Sequence, residues 1–295
     1  MDVISFGPIF LEVVFGDMKH RPVPGEEIFV DQFAFSLGGG AVTAAVEARR
    51  AGASAAAATV LGDDVGSKLA VELCLREGVD LSPSKRLTGA VAGITVVLNF
   101  DQDRAFVSHV PPRSTAERPE PERWPEVLEH VRPEWCYLHA GPLVPPVLER
   151  AHAVGTRVVL DFDSGAIDEF PDEVVKCATL ADVLVPTEAE LRRLTRARDL
   201  GEAIVSAASW CPWVVVKRGG AGAVAVDNGR ATEVTEGLED VVVRDRTGAG
   251  DAFAGAMVGN LARGAGLLEA VAAGNTAGSM AVARMGATGE MPVWN

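Results

Sequence analysis

The sequence predicts an α/β fold: a mostly parallel central sheet flanked by helices, with a small antiparallel sheet inserted beside it. Three observations carry this expectation. Short apolar runs of strand length alternate with helix-length segments along nearly all 295 residues. Several of these runs are apolar throughout, as strands buried on both faces must be. Two stretches, 28–36 and 91–110, break the rhythm and read as an antiparallel insertion able to form a flap. With 48% hydrophobic residues the chain can bury one large core. A single domain over 1–295 is expected, with lid segments at roughly 9–37 and 88–111.

The elements follow in order. Val3–Phe6 is a buried strand ending in the turn Gly7-Pro8. Gly38-Gly39-Gly40 opens a small-residue helix over 41–50, closed by Gly52. A strand at 55–60 and a helix at Val65–Arg76, stopped by Gly78, come next. Segments 91–99 and 104–110, parted by Asp101-Gln102-Asp103, form a hairpin. Prolines crowd between Pro111 and Pro133, which predicts a connecting loop with one or two helical turns near 124–130. Regular alternation then resumes, with strands at Trp135–His139, Arg157–Asp161, 183–185 and Trp213–Lys217. Helices at 145–154, 188–194 and Leu200–Ala208 lie between them. Short strands are expected at 223–226 and 241–243, and two small-residue helices, 252–263 and 267–284, finish the chain.

A formal net charge of −14 repels phosphate backbones, which argues against nucleic acid as a partner. Cys74, Cys136, Cys177 and Cys211 are far apart with no CxxC pair, so neither zinc nor a disulfide framework is indicated. No apolar run reaches membrane-spanning length and the first residues lack a signal-peptide pattern, so a cytoplasmic protein is expected.

The strongest chemical signal is Asp245-Arg246-Thr247-Gly248-Ala249-Gly250-Asp251-Ala252-Phe253. Small residues lead straight into a helix, whose free amides attract anions, with Asp251 in the first turn. A carboxylate beside such amides suits transfer of a phosphoryl group to a hydroxyl. Taken alone, the segment reads equally well as a tight turn with Asp251 capping a helix. Gly38-Gly39-Gly40-Ala41-Val42-Thr43 exposes amides in the same way, or serves close helix packing. The segment Gly62 to Lys68 has the wrong spacing for a Walker motif, and no GxGxxG follows the first strand.

In order along the chain, these segments resemble the ribokinase-like family, the pfkB carbohydrate kinases. The resemblance includes Pro24-Gly25-Glu26, Gly62-Asp63-Asp64-Val65-Gly66, Thr187-Glu188-Ala189-Glu190 and Val216-Lys217-Arg218-Gly219, and ends on the 245–253 signature. It implies a central sheet with a β-sheet lid, ATP as phosphate donor and Mg²⁺ as cofactor. It also implies that Asp251 is the base and that Gly248, Ala249 and Gly250 form the anion hole. Gly38, Gly39, Thr43 and Glu12 fall where the family holds substrate hydroxyls. Glu190 matches the acidic residue of the Asn-x-x-Glu motif that organises magnesium and phosphate, with Thr187 at the Asn position. Gly219, Gly222 and Asn275 fall where the nucleotide is bordered, and Asp245 where some members hold a monovalent cation such as K⁺. The chain departs from the family at Thr43 and Thr187, where Asn is usual, at Glu12, where Asp is common, and at Arg246, where Thr is common. Threonine lacks the amide's paired donor and acceptor.

Other residues have two readings each. Asp161 and Asp163 end a strand, where α/β sheets place ligands, so they hold substrate or magnesium water, or cap a loop. Lys217 and Arg218 end another strand and either contact phosphate or face solvent. Among His20, His109, His130, His139 and His152 there is no metal spacing, and His139 is expected to be a core histidine. The functions to weigh are a sugar kinase, a nucleoside kinase needing an aromatic lid surface (Phe100 and Phe106 are available), and an inactive sugar- or nucleotide-binding regulator. The open hairpin edge and the family resemblance lead to the expectation of a homodimer paired through the lid.

Overall fold

The computed structural model describes residues 1–89, 92–100, 104–110, 120–235 and 241–289. The turn at Asp101-Gln102-Asp103 and the proline-rich stretch 111–119 lie outside them. The chain starts with β1 (Val3–Phe6), next to one edge of the main sheet, then leaves it as β2 (Phe10–Met18) and β3 (Gln32–Gly38). α1 (Gly40–Arg50) and β4 (Ala55–Ala58) return to it. β5 (Val60–Leu61), α2 (Val65–Arg76) and β6 (Lys85–Arg86) lead out again to β7 (Gly93–Phe100) and β8 (Arg104–His109). α3 (Glu120–Val131), β9 (Trp135–His139), α4 (Pro145–Ala153) and β10 (Arg157–Asp161) restore the alternation. Two helices, α5 (Ser164–Glu169) and α6 (Pro171–Ala178), precede β11 (Val183–Leu184). α7 (Glu188–Thr195), α8 (Leu200–Ala208) and β12 (Trp213–Lys217) follow. The hairpin of β13 (Ala223–Asp227) and β14 (Arg230–Val234) precedes α9 (Ala249–Ala262) and α10 (Leu267–Val282).

The main sheet has the order β14-β13-β12-β11-β10-β9-β1-β4. Its strands run parallel from β4 to β12, and β13 and β14 add antiparallel. Central strands such as β9 and β10 are buried on both faces, which is why they read as unbroken apolar runs. One face carries α1, α2, α9 and α10, through residues such as Val42, Ala70, Met257 and Val271. The other carries α3, α4, α6, α7 and α8, through Leu128, Leu148, Val174, Leu191 and Ala203. The second sheet, β3-β2-β7-β8, is the lid. Its outer pairs β2–β3 and β7–β8 are antiparallel, and β2–β7 at its centre is parallel.

Three sequence expectations need correction. The run at 241–243 forms no strand: Val242 and Val243 are exposed, and the last strand is Arg230–Val234, whose exposed side chains hid it. The one or two helical turns expected near 124–130 belong to a longer helix of twelve residues, Glu120–Val131, which accommodates Pro125. The segments Ser164–Glu169 and Pro171–Ala178 are helices that the sequence reading left unassigned; the second begins with proline, where the missing N–H costs nothing. All four cysteines are buried and free. Among the described residues no helix is long and apolar enough to cross a membrane.

Candidate active site

Several helices begin with a side-chain cap: Asp64 for α2, Asp163 for α5, Thr187 for α7 and Asp199 for α8. α1 and α9 do not. They start from Gly39 (φ 93°) and Gly248 (φ 70°), which offer no side-chain cap. Only glycine enters this left-handed region without strain, so the sequence places both glycine turns where a helix must start uncapped. The two helix starts face each other. A Cβ on Gly40 would lie 2.4 Å from Asp251 Oδ1, and one on Gly248 would lie 3.4 Å from Thr43 Cγ2. Gly248, Ala249, Gly250, Asp251 and Thr43 therefore share one site.

The Asp251 carboxylate is held from the sheet. The Tyr137 hydroxyl lies 2.9 Å from its Oδ1, and His139 Nε2 lies 3.4 Å from the same oxygen. Burial works to raise the Asp251 carboxyl, but the His139 hydrogen bond and charge, Lys217 and Tyr137 outweigh it and hold it below the usual carboxylate range. Burial works to lower His139, and the Asp251 hydrogen bond and charge outweigh it, so the imidazole is raised. Burial and the two neighbouring carboxylates push the Tyr137 phenol well above its ordinary value, so it remains a donor.

Asp161, expected to touch substrate, is 2% exposed, and its oxygens are occupied by Lys217 Nζ at 2.9 and 2.8 Å, by Tyr137 at 3.1 Å and by the amide of Phe162. It anchors Lys217, whose ammonium reaches the start of α9: a Cβ on Gly250 would sit 3.3 Å from Nζ. Ligand atoms of His139, Asp161 and Asp251 lie within 4.8 Å of one another, and the Lys217 ammonium already sits against Asp161 where a cation would. Asp163 is the cap of α5.

Glu12 comes from the lid. Its carboxylate is 5% exposed, accepts from the Ala287 amide at 3.1 Å, and lies against Gly38, where a Cβ would be 2.6 Å from Oε1. Burial raises its pKa, the Ala287 hydrogen bond opposes this, and the charges of Asp245 and Asp251 add to the rise, giving about 7. Gly39 packs on the Pro8 carbonyl, 2.3 Å from where a Cβ would be. The Thr43 hydroxyl is buried with no partner among the described residues.

Beyond the ends of β11 and β12, Thr187 and Lys217 are bridged, and Gly219 and Gly222 form the turn after β12. Asn275 is buried and donates to the Val234 carbonyl at 2.9 Å, so it fastens α10 to β14. Gly222 packs on the same carbonyl. Glu190 and Thr187 form a capping box: Glu190 Oε2 accepts from the Thr187 amide at 2.8 Å, and Thr187 Oγ1 accepts from the Glu190 amide. Glu190 Oε1 has no protein partner among the described residues, so this carboxylate fits a role toward hydrated magnesium. Asp245 does not fit a cation. Its two oxygens receive the Thr247 amide (2.8 Å) and hydroxyl (2.6 Å), Asn99 (3.2 Å) and the Gly286 amide (3.0 Å), which fills the lone pairs a carboxylate offers. It ties the lid and the segment at Gly286 to the turn before α9 instead. Arg246 is exposed.

The sequence reading missed Tyr137 and misjudged His139. The one available signal was the chain's single tyrosine on an apolar strand, since a buried phenol must find a partner. His139, two residues on, shares its face and is one-third exposed, so it is no core residue.

The pfkB family carbohydrate kinase profile matches residues 2–294. Aminoimidazole riboside kinase of Salmonella typhimurium is 27% identical over 310 residues, covering 95% of this chain and 91% of that one. Cytidine kinase of Thermococcus kodakarensis is 25% identical, covering 93% of each. Among solved structures, adenosine kinase from Sinorhizobium meliloti matches with a TM-score of 0.79 at 19% identity, over 97% of this chain and 95% of that one. Ribokinase from Thermotoga maritima matches with a TM-score of 0.75 at 21% identity, over 98% and 95%. These likenesses show the fold, and the profile shows the family: the chain belongs to the pfkB carbohydrate kinases and is an ATP-dependent kinase.

Proposed function

We propose that the protein moves the γ-phosphate of ATP to a hydroxyl of a small sugar or sugar-like acceptor, with Asp251 as base. The observation that carries this reading is an ionised carboxylate at the uncapped start of α9, facing the equally uncapped start of α1. The amides of Gly248, Ala249 and Gly250 and the Lys217 ammonium offer positive charge where the transferred phosphoryl group develops negative charge. Thr43, with its unpartnered hydroxyl, and Glu12, Gly38 and Gly39 border the acceptor side. Thr187, Gly219 and Gly222 border the nucleotide, with Asn275 behind them. Mg²⁺ organised from Glu190 would spread charge over the β- and γ-phosphates. Asp251→Asn should lower kcat by roughly 10²–10⁴ with little change in ATP affinity. Near-normal turnover by that variant with its best acceptor would remove Asp251 from this role.

A nucleoside acceptor is the second reading. Phe106 pairs with Val97, and Val97 with Val14, so all three share the lid face that carries Glu12. Phe106 is 47% exposed there, an aromatic surface on which a base can stack. The relatives named for riboside and cytidine kinase activity favour the same reading. ADP release over a panel of sugars and nucleosides decides between the two. The exposed outer strand β8 supports a homodimer paired through the lid.

A further inference from the structure

Both contacts to the Asp251 carboxylate fall on one oxygen. Tyr137 and His139 lie on the same face of β9 and both reach Oδ1, and Oδ2 has no protein partner among the described residues. The His139 ring is confined on three sides. It stands edge-on to Tyr137 with centroids 5.6 Å apart, its Cε1 sits where Gly40 leaves room for it, and Nε2 faces Asp251. Tyr137 has a single proton for two carboxylates, and Asp161 is already held by Lys217, so the phenol is free to serve Asp251. The charged and titratable groups facing this pair are Tyr137 from β9, Asp161 from β10, Lys217 from β12 and Glu12 from the lid.

We propose that His139 is a positioning residue for the reaction: with Tyr137 it fixes Oδ1 of Asp251, leaving Oδ2 as the oxygen that takes the acceptor's proton. The proposal rests on the reading of Asp251 as base. In the step, the acceptor oxygen bonds to the γ-phosphorus while the bond from that phosphorus to the β,γ-bridging oxygen breaks. ADP leaves, and the hydroxyl proton passes to Oδ2 and from there to solvent. His139 keeps its own proton throughout and contributes orientation and charge. The directions of the two titrations agree with this pairing, since each partner favours the ionised form of the other.

The test is the pH profile of kcat/KM for the wild type, His139→Gln and His139→Lys, together with an NMR titration of the His139 ring. Loss of the cation in His139→Gln should move the acid limb upward by about one pH unit. That is about a tenfold loss on the acid side, shrinking to a few-fold above neutral pH. His139→Lys, which restores a cation, should bring the limb back toward its wild-type position. The His139 ring should titrate above an ordinary imidazole in the wild type and fall toward it in Asp251→Asn, a readout that needs no turnover. An acid limb that stays in place in His139→Gln, with activity lowered evenly at all pH values, overturns the proposal while an inactive Asp251→Asn leaves the base intact. An active Asp251→Asn overturns the base and this proposal together.

Discussion

Glu12 links the lid to the pH dependence of stability, and replacing it with glutamine separates that link from everything else. The carboxyl is 5% exposed and its pKa rises from 4.5 to about 7, first because burial disfavours the charge and then because Asp245 and Asp251 lie near. Between those pH values the folded protein binds more proton at Glu12 than the unfolded chain does. Stability therefore falls as pH rises through this window and levels off above about 7. At about 1.4 kcal/mol per tenfold change, ionised Glu12 costs about 3 kcal/mol on the alkaline side. Glu12→Gln keeps an acceptor for the Ala287 amide and carries no charge. The variant should match the wild type near pH 4 and exceed it by up to about 3 kcal/mol near pH 8.5, roughly 5–10 °C in Tm for a chain of this size. Thermal denaturation without ligands, across that pH range, measures the difference directly. Parallel curves for the two proteins, or a variant less stable by the same amount at both ends, would refute the account of Glu12 as a buried acid under charge pressure.

Two further expectations concern metal and assembly. Activity should vanish in chelator, and Glu190→Gln should raise the magnesium requirement more than the KM for the acceptor, while stability changes by less than about 1 kcal/mol because Gln still accepts from Thr187. An unchanged magnesium dependence would leave Glu190 as a helix cap alone. Light scattering at micromolar concentration should give twice the 30.9 kDa of the chain, and a monomer would refute pairing through the lid.

How legible a feature was depended on whether its cause is local. Val158–Val159–Leu160 announces a strand because both faces are buried, and Gly38–Gly40 and Gly248–Gly250 announce helix starts because φ and close approach demand glycine. β2 was harder to see: Glu12, Gly16 and Asp17 interrupt its apolar pattern, and its two partners are distant in sequence. The strand end at Asp161 was visible, but not its purpose, since Lys217 reaches it from two strands away in the sheet. The same holds for His139 and Tyr137. Their meaning arises from the packing of β9 beneath the start of α9, a contact that periodicity does not encode. The filled carboxylate of Asp245 likewise depends on Asn99 and Gly286 arriving from the lid and the far end of the described chain.

The burial of α1 has a consequence for how the protein is made. Eight successive residues of this helix, Ala41 to Ala48, are inaccessible, and part of that cover is α9, so closely applied that a Cβ on Gly255 would lie 2.3 Å from the Ala44 carbonyl. α1 is synthesised early and α9 late. During translation the first half of the chain carries an apolar helix whose cover has not yet left the ribosome, and the carboxylate and the glycine turn of the site belong to opposite ends of that wait. A nascent chain in this condition exposes a greasy surface for most of its synthesis, which makes it a client for holding factors and vulnerable to truncation. Termination before α9 should therefore yield aggregates rather than a half-folded domain, because what remains lacks both Asp251 and the surface that hides α1.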